Sequence, residues 1–490
     1  VVCSRGLRAL ADAAADESKP PAPNDRVWGS SPTRLGRCQV AEQPASLWTR
    51  EDHEVADLLD AYYAHIAPED LAQVEEDQQR ARLHAHLEVA SSRTDSGPAV
   101  EVRTVGRRSI VYVVTDDMPY LVDSVTAEIS RCGHAISLVV HPIFLTTRSS
   151  SGRSLKTVKS LPTRARSMSS GDTQSLPALS ALLEEDDRTE VESWIAVELD
   201  RVLTDQEVEN LTSGLHKALK DVMLSYRDQD RMVNQARRAA SDIRRLDSVV
   251  DQGESADLVE WMGDGHFLFL GYREYRLSED GEETVRLDPV PNTGLGILSD
   301  VEGTPRSRSS SELSAAGRAR ARQRRALVIT KANSRSTVRR RTYMDYVAVK
   351  VFDAEGEVTG ERRFLGLFSQ RAYTQSISTI PLLRSRAKQL LARSGFSPDS
   401  HSGSDLMQIL ETYPRNELLQ MEISEIEDVT WQILQLQERR RVKLFLRQDH
   451  YGRFMTALLY LPRDRYNTAV RRRVENELLK HIDAESIDFN

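Results

Sequence analysis

The sequence predicts an α+β fold built from small antiparallel sheets with helices beside them, and three observations carry that reading. A β-branched run, Ile110-Val111-Tyr112-Val113-Val114, reads as a strand. The next stretch puts Leu121, Val125 and Ile129 at four-residue steps, the period of a helix with one buried face. Two further strands, Ile136 to Leu145 and Trp194 to Leu199, precede a second helix from Asp205 to about Tyr226. The order β-α-β-β-α is the ferredoxin-like split pattern with its last strand missing or displaced, and it predicts two helices packed on one face of an antiparallel sheet.

Local signals set the boundaries. Residues 1–50 carry Pro and small residues and no sustained apolar period, so they read as a disordered leader. From Asp52, the spacing of Val55, Leu58, Leu59, Tyr62, Tyr63 and Ile66 predicts a helix, and Leu71 to Val89 predicts another. Pro119 suits a first helical turn, Asp116 or Asp117 suits an N-cap, and Gly133 suits a helix stop. Residues 148–188 are rich in Ser, Arg and Thr and read as a loop or insertion.

A second block, 228–440, begins with a helix from about Asp228 to Met262. Its strands are His266 to Tyr272, Leu327 to Thr330, Tyr346 to Phe352 and Arg363 to Phe368, with a hairpin at Asp353 to Gly360. The polar tract 301–325 reads as a flexible loop. Helices follow at Leu382–Arg393, Ser404–Thr412 and Glu422 to Arg440. A third block, 441–490, reads as strand, strand, helix and the start of a strand at Ser486. Such a unit does not close its own core, so the polypeptide is expected to continue past Asn490. The start at Val1, without Met, reads as a fragment or a non-standard start.

Composition limits the function classes. The chain has 490 residues, enough for roughly three domains. No run of about 18 apolar residues occurs, so no transmembrane helix is expected, and nothing at the start reads as a signal peptide. Cys3, Cys38 and Cys132 are isolated, which fits a reducing cytoplasm and argues against disulfides or a zinc site. The net charge of −8 disfavours general attraction to nucleic acid.

Catalytic motifs are missing. There is no phosphate-binding Gly-x-x-x-x-Gly-Lys-Ser/Thr loop, no His-Glu-x-x-His and no Gly-x-Ser-x-Gly. Gly294 and Gly296 form only Gly-x-Gly, which does not make a dinucleotide turn. His134 and His141, beside Cys132, lack further metal ligands and read as structural. Asp116, Asp117 and Asp123 could form a cation cluster, but capping explains the first two more simply. The arginines at 318, 320, 322, 324 and 325 and Arg339-Arg340-Arg341 form the one dense basic tract. It could contact phosphates, yet it lacks interleaved aromatics and reads better as a solvated loop and strand edge.

Longer segments carry a resemblance. Val113 to Val125 (VVTDDMPYLVDSV), His134 to Pro142 (HAISLVVHP), His266 to Tyr272 (HFLFLGY) and Thr330 to Thr337 (TKANSRST) resemble the large bacterial NAD-specific glutamate dehydrogenases. So do Tyr346 to Lys350 (YVAVK), Phe364 to Phe368 (FLGLF), Pro381-Leu382-Leu383, Ile409 to Pro414 (ILETYP), Gln435 to Val442 (QLQERRRV) and Tyr460 to Asn467 (YLPRDRYN). The resemblance runs from about residue 52 to 490 and omits 1–50, 148–188 and 301–325. It implies tandem ACT-like domains with connecting helices: the first in 51–227, a second in 228–440, a truncated third in 441–490.

The resemblance further implies a parent enzyme that deaminates L-glutamate oxidatively to 2-oxoglutarate and ammonium with NAD. Its catalytic residues would lie in a C-terminal domain outside this chain, so no catalytic, cofactor-binding or metal-binding residue is assigned here. A cytoplasmic homo-oligomer and an amino-acid effector are expected, without membrane or nucleic-acid partners. In ligand-binding ACT domains the effector sits at the first strand-to-helix turn, where free N–H groups attract a carboxylate. The matching positions are Asp116, Asp117, Met118, Pro119 and Tyr120. Many such domains have glycine after the proline; Tyr120 departs from that pattern, which favours a packing-only domain at least equally.

Overall fold

The computed structural model describes residues 2–4, 52–93, 97–148, 155–160, 188–246, 251–280, 284–300, 318, 321–436, 441–449, 454–462, 464, 466–482 and 486–488. Chain order gives β1 (Val2–Ser4), α1 (Asp52–Tyr63), α2 (Pro68–Leu71), α3 (Glu76–Ser92), β2 (Ala99–Val105), β3 (Arg108–Asp116) and α4 (Leu121–Arg131). Next are β4 (Ile136–Val140), β5 (Ile143–Arg148), β6 (Leu155–Ser160), β7 (Arg188–Leu199) and α5 (Asp205–Arg227). The second block holds α6 (Gln229–Ile243), α7 (Gln252–Trp261), β8 (Phe267–Asp280), β9 (Thr284–Pro289), β10 (Leu295–Gly296), β11 (Leu327–Arg335), β12 (Tyr343–Phe352) and β13 (Val358–Phe368). Then come α8 (Gln370–Thr374), α9 (Leu383–Ser394), α10 (His401–Thr412), α11 (Arg415–Gln420), α12 (Ile423–Leu434), β14 (Lys443–Gln448), β15 (Phe454–Tyr460), α13 (Thr468–His481) and β16 (Ser486–Asp488).

The first sheet has the order β2-β3-β7-β5-β6, with β4 pairing β7 beyond β5. Every pairing is antiparallel. β4 and β5 are one strand interrupted at His141-Pro142, where the Pro142 carbonyl accepts from the Trp194 N–H. The expected β-α-β-β-α core is therefore β3-α4-β4/β5-β7-α5. The edge beside β3 is filled from upstream by β2, joined to it through a tight turn at Gly106, whose φ of 60° suits glycine. Within the tract read as a loop insertion, Leu155–Ser160 is a strand on β5; most of the remainder lies outside the described residues.

Helices were expected on one face of this sheet, and the structure covers both. Ile110, Tyr112, Val114, Phe144 and Trp194 pack against Tyr62, Leu83 and Val89 of α1 and α3. The alternate residues Val111, Val113, Ile195 and Val197 pack against Val125 and Ile129 of α4 and Leu211, Leu215 and Leu219 of α5. Side chains of a strand alternate in direction, so burial on both faces demands an unbroken apolar run, which is what β3 and β7 carry.

The second sheet runs β10-β8-β13-β12-β11, with β9 on β8. Between β10 and β11 the described residues include helical positions at Arg318 and Ala321, and no helix lies between β11, β12 and β13. Strands β11 to β13 form a meander that β8 extends beside β13, with helices flanking the sheet, and this order differs from the β-α-β-β-α order of the ACT-like domain expected at 228–440. Leu268, Leu270, Leu365 and Leu367 join the core of α4 and α5, while Phe267, Phe269, Phe364, Val347 and Val349 face the cluster of α6, α7 and α9 to α12. The first two blocks stack as helices, sheet, helices, sheet, helices, and α4 and α5 form a middle layer shared by both sheets. The single helix expected from Asp228 to Met262 is two, α6 ending at Ile243 and α7 starting at Gln252, and the last expected helix of the block stops at Leu434.

The third block is a four-stranded sheet, β14-β15-β1-β16, with α13. Val2–Ser4, part of the leader read as disordered, runs antiparallel between β15 and β16; residues 5–51 lie outside the described ones.

Under α1 and α3 a polar chain crosses the core. Tyr62 Oη lies 2.8 Å from His86 Nδ1, and His86 Nε2 lies 3.2 Å from the Val113 carbonyl. A carbonyl only accepts, so Nε2 carries the proton and Nδ1 accepts from Tyr62. Burial lowers the His86 pKa to about 3. The unfolded chain, with an imidazole pKa near 6.5, then binds more protons than the folded one between about pH 6.5 and 3. Stability should fall as pH drops through that window, by up to about 1.4 kcal/mol per unit from this group. Urea unfolding against pH should show the slope, and His86→Gln should flatten it.

Candidate functional site

The five effector positions form the turn between β3 and α4. Asp116 ends the strand, and its Oδ1 accepts from Arg93 Nη2 at 2.6 Å. Arg93 Nη1 also donates to fully buried Glu192 at 2.6 Å, a carboxylate further held by Arg148 and the Trp194 indole N–H. A buried carboxylate needs such partners. The Asp117 N–H donates to the Val191 carbonyl, and burial pushes its carboxyl above the usual range. Met118 is buried in the core beside Leu121, Pro119 is half-buried and Tyr120 is exposed.

Neither aspartate caps the helix, contrary to the expected capping. Tyr120 is the N-cap, held at φ 72°, ψ 8°, and its side chain makes no capping bond. A left-handed tyrosine is uncommon and persists only where its surroundings enforce it. Here they do. Ser124 Oγ, buried in α4, donates to the Tyr120 carbonyl at 2.6 Å and accepts the Arg339 N–H at 2.8 Å. The Arg339 guanidinium stands 5.5 Å from the Tyr120 ring centre, cation over ring.

Arg339 belongs to the loop Ser336–Thr342 that joins β11 to β12, and the loop is a docking knob. Val338 is buried in the core shared with α4 and α5. Thr337 Oγ1 donates to Asp221 of α5 at 2.6 Å, and Arg341 Nη1 lies 3.4 Å from Glu128 of α4. Arg340 reaches the Phe368 carbonyl. Further along the basic tract, Arg324 pairs with Glu357 and Arg325 with both oxygens of Glu422. Much of the tract's charge is thus engaged within the fold. Arg318 and Arg322 also have partners, and Arg320 lies outside the described residues.

The other flagged residues stay apart. His141 stacks on His65 with ring centres 5.2 Å apart. His134 Nδ1 lies 3.3 Å from an Arg201 nitrogen. Cys132 is a half-buried free thiol, and Asp123 is exposed. No group of three or more metal-ligating side chains forms among the described residues. Sequence reasoning missed Ser124 and Val338, whose roles depend on contacts more than two hundred positions away in the chain.

Comparison with known proteins places this geometry. Residues 58–215 match the family model "Glutamate dehydrogenase, ACT1 domain", 380–439 "Glutamate dehydrogenase, helical motif 1", and 443–490 "Glutamate dehydrogenase, ACT2 domain". The chain belongs to the NAD-specific glutamate dehydrogenase family. It is 33% identical over 387 residues to the NAD-specific glutamate dehydrogenase of Halomonas elongata, covering 78% of this chain and 22% of that protein. With the Pseudomonas aeruginosa enzyme of the same name it shares 30% over 382 residues, 77% of this chain and 22% of the relative. For the Mycobacterium tuberculosis one the values are 28% over 421 residues, 84% and 23%. The chain therefore spans less than a quarter of each relative's length. The matches put the second ACT domain at 443–490, the β14, β15, α13 and β16 region, rather than in the meander.

Ser124→Ala would remove the acceptor of the Arg339 N–H and leave the Tyr120 carbonyl with the Ser124 backbone N–H as its remaining donor. It should cost about 1–3 kcal/mol in denaturant unfolding. It should also speed tryptic cleavage after Arg339, Arg340 or Arg341; unchanged proteolysis would show that the knob is held by other contacts.

Proposed function

We propose that this chain is the amino-terminal regulatory and assembly region of an NAD-dependent glutamate dehydrogenase. The parent reaction is oxidative deamination of L-glutamate to 2-oxoglutarate and ammonium, in amino-acid catabolism. The observation that carries the reading is the succession of ACT1, helical motif 1 and ACT2 along one chain, all drawn from that enzyme family. The fold class supports it, since small antiparallel sheets with helices are the expected form of such domains. No dinucleotide turn was found in the sequence, so the hydride chemistry and the NAD site are assigned to a C-terminal domain of the same polypeptide. No helix among the described residues is long and apolar enough to cross a membrane; a cytoplasmic homo-oligomer is part of the proposal.

Within this reading the turn Asp116–Tyr120 serves assembly first. The Arg339 guanidinium of the neighbouring block already stands against the Tyr120 ring, and Asp116 and Asp117 bring negative charge to a place where an effector carboxylate would sit. That arrangement favours the scaffold alternative at this turn, with any amino acid there displacing the knob. The nucleic-acid alternative has less support, because Arg325, Arg339 and Arg341 meet Glu422, Tyr120 and Glu128.

The isolated chain should produce no NADH from glutamate and NAD; turnover would refute the assignment. In a thermal-shift series with single amino acids, a ligand at about a hundred times its Kd adds roughly 2.7 kcal/mol and moves the midpoint by several degrees. A shift abolished by Tyr120→Ala would place the effector at the turn. A series without any shift would leave the region a scaffold.

A further inference from the structure

A cavity of about 70 Å³ lies between the outermost strand of the second sheet, β11, and the helices around it. Asp251 borders it from the start of α7, Leu382 and Arg386 from α9 and its cap, Gln420 from the end of α11, and Glu422 from the cap of α12. Lys350 of β12 reaches it as well.

Three features set it apart from a packing defect. Its lining is charged and amide-bearing, and a roomy polar cavity is occupied where an apolar one stays dry. Gln420 is buried, with a side-chain carbonyl oxygen that has no hydrogen-bond partner; native folds rarely leave such an acceptor unmatched. Among the described residues, two of the five non-glycine ones with positive φ, Asp251 at 55° and Leu382 at 68°, border this space. Backbone strain of that kind collects at binding sites.

The charges name the ligand class. Arg325 is consumed by its two-pronged pair with Glu422. Lys350 Nζ donates to the Gln323 carbonyl at 2.6 Å. Arg386 Nη1 donates to the Leu418 carbonyl, and no carboxylate pairs with Arg386 within salt-bridge distance among the described residues. Burial lowers the Arg386 pKa although Glu422 and Asp251 partly oppose it, the mark of an incompletely compensated cation. A guanidinium there calls for an anionic oxygen pair, and Gln420 Oε1 calls for a donor. One water needs about 10–15 Å³ of such space, so the cavity holds about five or six non-hydrogen atoms.

We propose that this cavity binds a small carboxylic acid of two or three carbons bearing a hydrogen-bond donor next to the carboxylate, a hydroxyl or an ammonium. The carboxylate sits on Arg386 and the donor on Gln420 Oε1. The site lies between the central meander and the helical motif, away from the β3–α4 turn. It deepens the regulatory reading but is tested by binding to this chain alone. A chain that binds such an acid while the parent enzyme ignores it would refute regulation and leave the site standing.

The test is calorimetric titration of the 490-residue chain with glycolate, glycine, lactate and alanine, with acetate and propionate as donor-free counterparts, and with inorganic phosphate. At least one donor-bearing acid should bind about ten-fold or more tightly than its counterpart. Comparing glycine with glycolate, and alanine with lactate, separates ammonium from hydroxyl. Arg386→Met should weaken that acid about ten-fold or more, and Gln420→Leu should erase its advantage over the counterpart. Should Arg386→Met fail to fold, Gln420→Leu decides alone. The proposal falls if no acid binds below about 10 mM, if phosphate or acetate binds as well as the donor-bearing acids, or if Gln420→Leu keeps the preference.

Discussion

The first two blocks depend on the apolar layer that α4 and α5 share between two sheets. An amphipathic helix normally turns one face to a sheet and the other to water. These helices meet Val111, Val113, Ile195 and Val197 on one side and Leu268, Leu270, Leu365 and Leu367 on the other. Removing either sheet would expose the other's partner layer, so the first ACT domain and the meander are held as neighbours by the hydrophobic effect. The Ser336–Thr342 knob fixes their register through directional bonds to Ser124 and Asp221.

That architecture bears on the ACT1 turn. A strand-to-helix turn with free N–H groups is a ready anion site only when open. In this chain the knob docks beside it, and the left-handed Tyr120 is held by the same serine that receives the knob's N–H. The cavity bordered by Arg386 and Gln420 lies at the other sheet's outer edge. Any ligand signal entering there would reach the shared layer through β11 and β12, the strands that carry the knob.

Much of the fold was legible because double burial writes an unmistakable pattern. Ile110–Val114, Phe267–Leu270 and Phe364–Phe368 are apolar at nearly every position since both faces are covered. The second layer of helices was not deduced from this, although continuous apolar strands imply it. β2 was missed despite the alternation of Val100 and Val102 with Glu101 and Arg103, a short half-buried strand. The second block was expected to be ACT-like only from the resemblance; its strand signals fix elements, not the order of their pairing. At the turn, sequence located the five residues but not their partners. Arg93, Ser124 and Arg339 come from distant segments, and no local spacing marks a contact made across 215 positions.

The most direct measurement is native-state hydrogen exchange, comparing the amides of β3 with those of β13 across the shared layer. The account predicts that both open together, with the same free energy and the same denaturant dependence, as one cooperative unit. Exchange of β13 in a separate, lower-energy step while β3 stays protected would contradict it. The two sheets would then be independent domains that merely touch.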